Sequence, residues 1–108
     1  MRRGELWVAS GPGYLTKPRP VLVLQDDRYD QTESVTVVPL TSVRIDAPLW
    51  RVEIPASPSA GLDAPSFVQI DKVTTTRRTH LAQRIGAITT PQMREVERLL
   101  MAFLGLAA

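Results

Sequence analysis

Two strand-like runs, Val21–Leu24 and Val35–Leu40, separated by a polar and acidic stretch, constrain this chain more than any other feature. Val21–Leu24 shows no apolar–polar alternation, the pattern of a strand buried on both faces. Asp26–Ser34 between the runs is turn-like, so they are expected to pair as an antiparallel hairpin. In a hairpin the start of one strand lies beside the end of the next. The first strand opens on Pro18-Arg19-Pro20 and the second closes on Thr41-Ser42, so Arg19 and Thr41 are expected to face each other at one rim of the sheet. A guanidinium forks onto pairs of oxygens and a hydroxyl adds a further donor, a combination that suits a phosphate.

The remainder of the chain supplies a framework for that hairpin. Glu5–Ala9 reads as a first strand, with Leu6 and Val8 on one face and Trp7 on the other. Ser10–Lys17 is a Gly- and Pro-rich loop. Trp50–Ile54 (WRVEI) alternates strictly, which marks a strand whose wet face carries Arg51 and Glu53. Pro55–Pro65 is a surface loop, Ser66–Val73 a further strand, Thr74–Thr79 a Thr-rich stretch holding Arg77 and Arg78, and Leu81–Ile88 a last strand weakened by Gly86. From Thr90 the period becomes helical. Thr90 is read as the N-cap and Pro91 as the first helical residue, followed by Met93, Val96, Leu100 and Phe103 on one stripe and a stop at Gly105. A mainly β fold with one C-terminal helix is expected: a small, strongly curved antiparallel sheet or barrel forming a single domain over residues 1–108.

Composition excludes several functions. No cysteine is present, which removes disulfides and thiolate zinc sites and suits a reducing compartment. Met1-Arg2-Arg3 leads into Gly4 and Glu5, not into the apolar run of a signal peptide, and no apolar run is long enough to span a bilayer, so a cytoplasmic chain without a membrane partner is expected. Asp26, Asp27 and Asp30 lack the spacing of a calcium loop and read as a solvated turn, so no metal site is expected. The net charge of +2 does not by itself point to nucleic acid. Eleven of the thirteen cations, however, are arginine, which prefers planar bidentate partners such as phosphate or carboxylate; a general preference for arginine codons is the competing explanation.

The segments taken together resemble the MazF/PemK family of toxin endoribonucleases from toxin–antitoxin systems. The resemblance runs nearly end to end, through Arg3-Gly4-Glu5 before a Trp-containing strand, Pro18-Arg19-Pro20-Val21-Leu22-Val23-Leu24, Val38-Pro39-Leu40-Thr41-Ser42, Ser66-Phe67-Val68-Gln69-Ile70-Asp71 and the helix ending Leu104-Gly105-Leu106. It implies an SH3-like barrel, a homodimer, a cognate antitoxin protein as partner, and cleavage of single-stranded RNA without metal or other cofactor. The family's catalytic arginine falls on Arg19 and its catalytic Thr/Ser on Thr41, the residues that the hairpin already brings together. The loop before the arginine, where many members carry an acid or another polar group, is Gly13-Tyr14-Leu15-Thr16 here and holds no carboxylate, which leaves the general base open.

Arginine stays charged in proteins, so Arg19 is expected to act first as an electrostatic stabiliser. Asp71 and His80, the only histidine, are the candidates for proton transfer, each with a plain structural role as the competing reading. For RNA binding, Lys17, Lys72, Arg77 and Arg78 are candidates to track phosphates, Tyr14 to stack on a base, Gln69 to read a base edge and Ser42 to contact the substrate. Trp7 and Trp50 are assigned to the core or to a dimer interface. A gyrase-poisoning toxin of the same fold is the main alternative. The C-terminal Trp-Gly-Ile by which such toxins resemble one another is absent, since the chain reads Gly105-Leu106-Ala107-Ala108 there. An inert SH3-like binding module would leave the Arg19/Thr41 pairing without a purpose.

Overall fold

The structure is a computed structural model that describes residues 1–11 and 17–107. Seven strands form one antiparallel sheet: β1 (Glu5–Ala9), β2 (Arg19–Val23), β3 (Ser34–Thr41), β4 (Arg51–Ile54), β5 (Ser66–Gln69), β6 (Thr74–Arg77) and β7 (Leu81–Ala87). One α-helix among the described residues, α1, spans Thr90–Phe103. Along the sheet the order is β4-β5-β3-β2-β1-β7, and β6 pairs with β3. The two ends of this path, β4 and β7, do not pair with each other among the described residues, so the curved sheet is an open barrel.

Strand β3 is the centre of the molecule. One edge pairs with β2 over Val37–Pro39; the other pairs with β6 over Ser34–Val37 and with β5 at Leu40 and Thr41. The run Ser66–Val73 is therefore not one strand. A 3-10 turn, Ile70–Lys72, interrupts it, and the pairing register along β3 moves by three residues, the length of that turn. Thr74–Arg77 resumes as β6, a strand that the sequence reading left as a polar stretch. Pro39 falls at the gap between the two pairings, where a residue with no N–H to donate costs the ladder nothing.

Both faces of the sheet are buried, as the unbroken apolar run of β2 requires. One face, with Leu6, Leu22, Leu40, Ile54, Val68 and Ile70, packs under Met93, Val96 and Leu99 of α1. The other gathers Ala9, Val21, Val23, Val35, Val37 and Leu81, with half-buried Trp7 against them. Each fully buried Leu, Ile or Val contributes about 1.5–3 kcal/mol, so these two layers, not the exposed ion pairs, hold the fold.

The helix ends differ slightly from the sequence reading. Its N-cap is Thr89, one residue earlier, because Gln92 lies three residues on and closes a capping box: the Thr89 hydroxyl accepts the Gln92 N–H at 3.2 Å, and the Gln92 amide accepts the Thr89 N–H at 2.8 Å. Pro91 consequently sits in the second helical position. At the other end Gly105 adopts φ +74°, and Leu106 N–H bonds the Met101 carbonyl at 2.8 Å, a left-handed glycine stop. Phe103 is exposed, and the buried stripe runs instead through Leu99. Trp50 is exposed just before β4, so of its two expected places, core or dimer interface, the core is excluded.

Candidate active site

The pairs Val21↔Pro39, Leu22↔Val38 and Val23↔Val37 fix the β2–β3 register. Carried two residues toward the rim, that register sets Arg19 opposite Thr41, at the first residue of β2 and the last of β3. Arg19 is exposed and has no hydrogen bond or ion pair among the described residues. The Thr41 Oγ1 accepts the backbone N–H of Val43 at 3.2 Å, which pins the hydroxyl and leaves its proton to be donated outward. Ser42 beside it is exposed. A fixed hydroxyl donor and a guanidinium with no partner among the described residues thus share one rim.

The same register logic extends across the sheet. Ala9 pairs with both Leu81 and Arg19, Thr41 pairs with Phe67, and Phe67 pairs with Glu53. Paired residues point to one face, so Leu81, Ala9, Arg19, Thr41, Phe67 and Glu53 form a row crossing six strands. Beyond Thr41 the row meets an arginine from the loop after β3. Arg44 lies over the Phe67 ring, its guanidinium carbon 4.8 Å from the ring centre, and binds Glu53 through both nitrogens at 3.1 and 3.4 Å. The sequence reading singled out neither Phe67 nor Arg44 for function. The alternation of WRVEI put Glu53 on a wet face, but nothing local to it revealed that β5 would bring that face alongside Thr41.

The other expected site residues divide by position. Lys17 and Arg77 are exposed. Lys72 is half-buried at the end of the 3-10 turn. Gln69 is buried on β5 opposite Arg51, with no side-chain hydrogen bond among the described residues. Asp71 is committed to Arg51, whose guanidinium donates a short hydrogen bond to its carboxylate. The Arg78 guanidinium is taken up by the acidic turn: it donates to the carbonyls of Thr32 and Tyr29, the latter at 3.0 Å, and to the Thr32 hydroxyl at 3.1 Å. That engagement ties the turn to β6 and leaves Arg78 little to offer a phosphate. His80 has its Nδ1 3.4 Å from the Thr76 hydroxyl and packs against Gly11, where a Cβ would come within 2.6 Å of the ring. Its carbonyl accepts the Ser10 N–H at 3.1 Å, which places it at the rim where Arg19 stands. Tyr14, and the Gly13–Thr16 stretch in which a carboxylate was missed, lie outside the described residues. Among the described residues no three His, Cys, Asp or Glu side chains gather into a set able to hold a metal ion. No helix among them is long and apolar enough to cross a membrane.

Comparison with known proteins places the fold in a family. Residues 2–104 match the family described as PemK-like, MazF-like toxin of type II toxin-antitoxin system. A Mycolicibacterium smegmatis protein named probable endoribonuclease MazF is 49% identical over 108 residues, covering 99% of each chain. The solved structure of an endoribonuclease in complex with its cognate antitoxin from a mycobacterial species superimposes with a TM-score of 0.80 at 27% identity, covering 100% of this chain and 98% of that one. Mycobacterium tuberculosis toxin MazF-mt6 gives a TM-score of 0.80 at 26% identity, covering 96% of this chain and 99% of the other. The open barrel with its C-terminal helix is the fold of MazF toxins, and the chain belongs to the PemK-like, MazF-like toxins of type II toxin–antitoxin systems.

Proposed function

We propose that the chain is an endoribonuclease toxin of one domain, residues 1–108, that cuts single-stranded RNA at the Arg19–Thr41 rim. One observation carries this reading: the β2–β3 register sets a guanidinium with no partner among the described residues across from a hydroxyl that accepts from Val43 and keeps its proton to donate. The names of its relatives as endoribonucleases support it.

The chemistry uses the substrate's own nucleophile. The ribose 2′-oxygen attacks the adjacent phosphorus, the bond from phosphorus to the 5′-oxygen breaks, and negative charge grows on the two non-bridging oxygens. Arg19 forks onto those oxygens while Thr41 donates to one of them. Preorganised donors aimed at developing charge each contribute about 3–4 kcal/mol, or roughly a hundred- to thousand-fold in rate. The products are a 2′,3′-cyclic phosphate and a 5′-hydroxyl, and the step needs no metal. The 2′-proton leaves to a base and the departing 5′-oxygen takes a proton. His80, with its carbonyl bonded to Ser10 and its ring toward Thr76, and Asp71, whose carboxylate already holds Arg51, are the two candidates for this work. Lys17 and Ser42 line the approach, with Lys72, Gln69 and Tyr14 as further contacts, while Arg77, paired with Ser34 at the far end of β3, can meet only a distant stretch of the RNA. Cleavage is selective for sequence, it stops translation and growth in the cytoplasm, and the active form is a homodimer neutralised by a cognate antitoxin.

The test is to incubate the purified protein with a long single-stranded RNA in EDTA and to map the new ends. Cuts bearing 2′,3′-cyclic phosphate and 5′-hydroxyl ends are expected, with DNA of the same sequence left intact. Loss of cleavage in EDTA, or 5′-phosphate ends, contradicts the mechanism. An RNA left intact in every condition, together with inhibition of gyrase, contradicts the function.

A further inference from the structure

The Phe67–Glu53 end of the cross-strand row borders an open hollow of about 170 Å³ whose lining includes Arg44, Asp46, Arg51, Glu53 and Phe67. It starts one strand from Thr41, since Phe67 is the register partner of that residue, and neighbouring strands lie about 4.8 Å apart. Four features make it more than a surface dent. The Phe67 ring is 5% exposed and roofed by the Arg44 guanidinium, itself planar and on a side chain 66% exposed. The Glu53 carboxylate holds that guanidinium in place through one pair of hydrogen bonds, and a carboxylate has about four acceptor positions, so capacity remains. The Arg51 side chain is 11% exposed and clamped by Asp71. Its Nε–H is buried and has no partner among the described residues.

We infer that this hollow is the specificity subsite for one nucleobase flanking the scissile phosphate, and that it selects a base carrying an exocyclic amine over uracil. The inference rests on the endoribonuclease reading above and deepens it. A flat guanidinium backed by an aromatic ring presents a stacking surface for a base. Glu53 accepts hydrogen bonds from the amino group at the base edge, as carboxylates do with the amino group of cytosine. Uracil offers carbonyl oxygens where that amine would be and meets the carboxylate with acceptor against acceptor. Arg44 and Glu53 both lie toward solvent, so substituting them leaves the packed layers untouched.

Cut sites on a random-sequence single-stranded RNA, compared among wild type, Glu53→Gln, Arg44→Ala and Arg44→Lys, test the assignment. In the wild type, one position next to the cut should favour amino-bearing bases over uracil by about tenfold or more. Glu53→Gln should erase most of that preference. Arg44→Lys should behave like Arg44→Ala, because lysine keeps the charge but lacks the plane. Wild-type cutting with the base preference unchanged in Glu53→Gln and Arg44→Ala overturns the subsite. So does an equal loss at all sequences, which marks a mere phosphate contact. So does full rescue by Arg44→Lys. A wild-type chain that cuts no RNA overturns the endoribonuclease reading itself.

Discussion

Individual charged residues in this chain do two different jobs, and the geometry separates them. Arg19 is exposed with no partner among the described residues, whereas Arg78 and Arg84 spend their guanidinium groups on the fold. Arg84 binds Glu5, which also accepts the backbone N–H of Arg2 at 2.6 Å and the indole N–H of Trp7 at 3.1 Å. Burial opposes ionisation of Glu5, but the hydrogen bonds from Arg2, Arg84 and Trp7 together outweigh it and hold the carboxyl below its ordinary range. The folded value being the lower one, Glu5 contributes stability that is fully present above the unfolded value of about 4.3 and is lost as pH falls through the folded value. Glu5→Gln is therefore expected to lower the melting temperature at neutral pH and to flatten its decline below about pH 4.3. Melting curves from pH 7 down to pH 3 check this; an acid decline as steep as in the wild type contradicts it.

At the scale of elements, β3 gathers partners on both edges, and the breaks along it position the site. The 3-10 turn Ile70–Lys72 lets β5 leave the line of β6 and carry Phe67 to Thr41. Strand β7 closes against the loop after β4, where Gly86 has no room for a side chain: a Cβ would come within 2.3 Å of the Ala60 carbonyl and 2.5 Å of the Ser59 oxygen. Gly86→Ala is expected to destabilise the protein by about 1–3 kcal/mol, read from the urea midpoint; an unchanged midpoint would show that the contact relaxes freely. In the sequence this glycine reads only as a weakness in the strand. The hairpin, by contrast, is legible from local pattern: apolar runs at Val21–Leu24 and Val35–Leu40 with Arg19 and Thr41 at fixed distances from them. Thr89 was missed as the N-cap because Thr90 next to it fits the same position, and only the reach of Gln92 decides between them. The β5 break and the Arg44–Phe67–Glu53 cluster depend on long-range register, which no local period encodes.

For the molecule as a whole, two buried layers stabilise one open barrel, and the chemistry is left to its rim. A net charge of +2 gives little long-range pull on RNA, so the account places recognition in short-range contacts along the cross-strand row. The measurement that tests the central claim most directly is the first-order rate of RNA cleavage by Thr41→Val beside the wild type. Both are assayed at equal concentration of folded protein, with the circular dichroism spectra confirming the same fold. Valine keeps the β-branched shape on β3 and removes only the hydroxyl. The account predicts a fall of about a hundred- to thousand-fold at every cut site, matched by Arg19→Ala. A Thr41→Val protein that cuts RNA at the wild-type rate would contradict it.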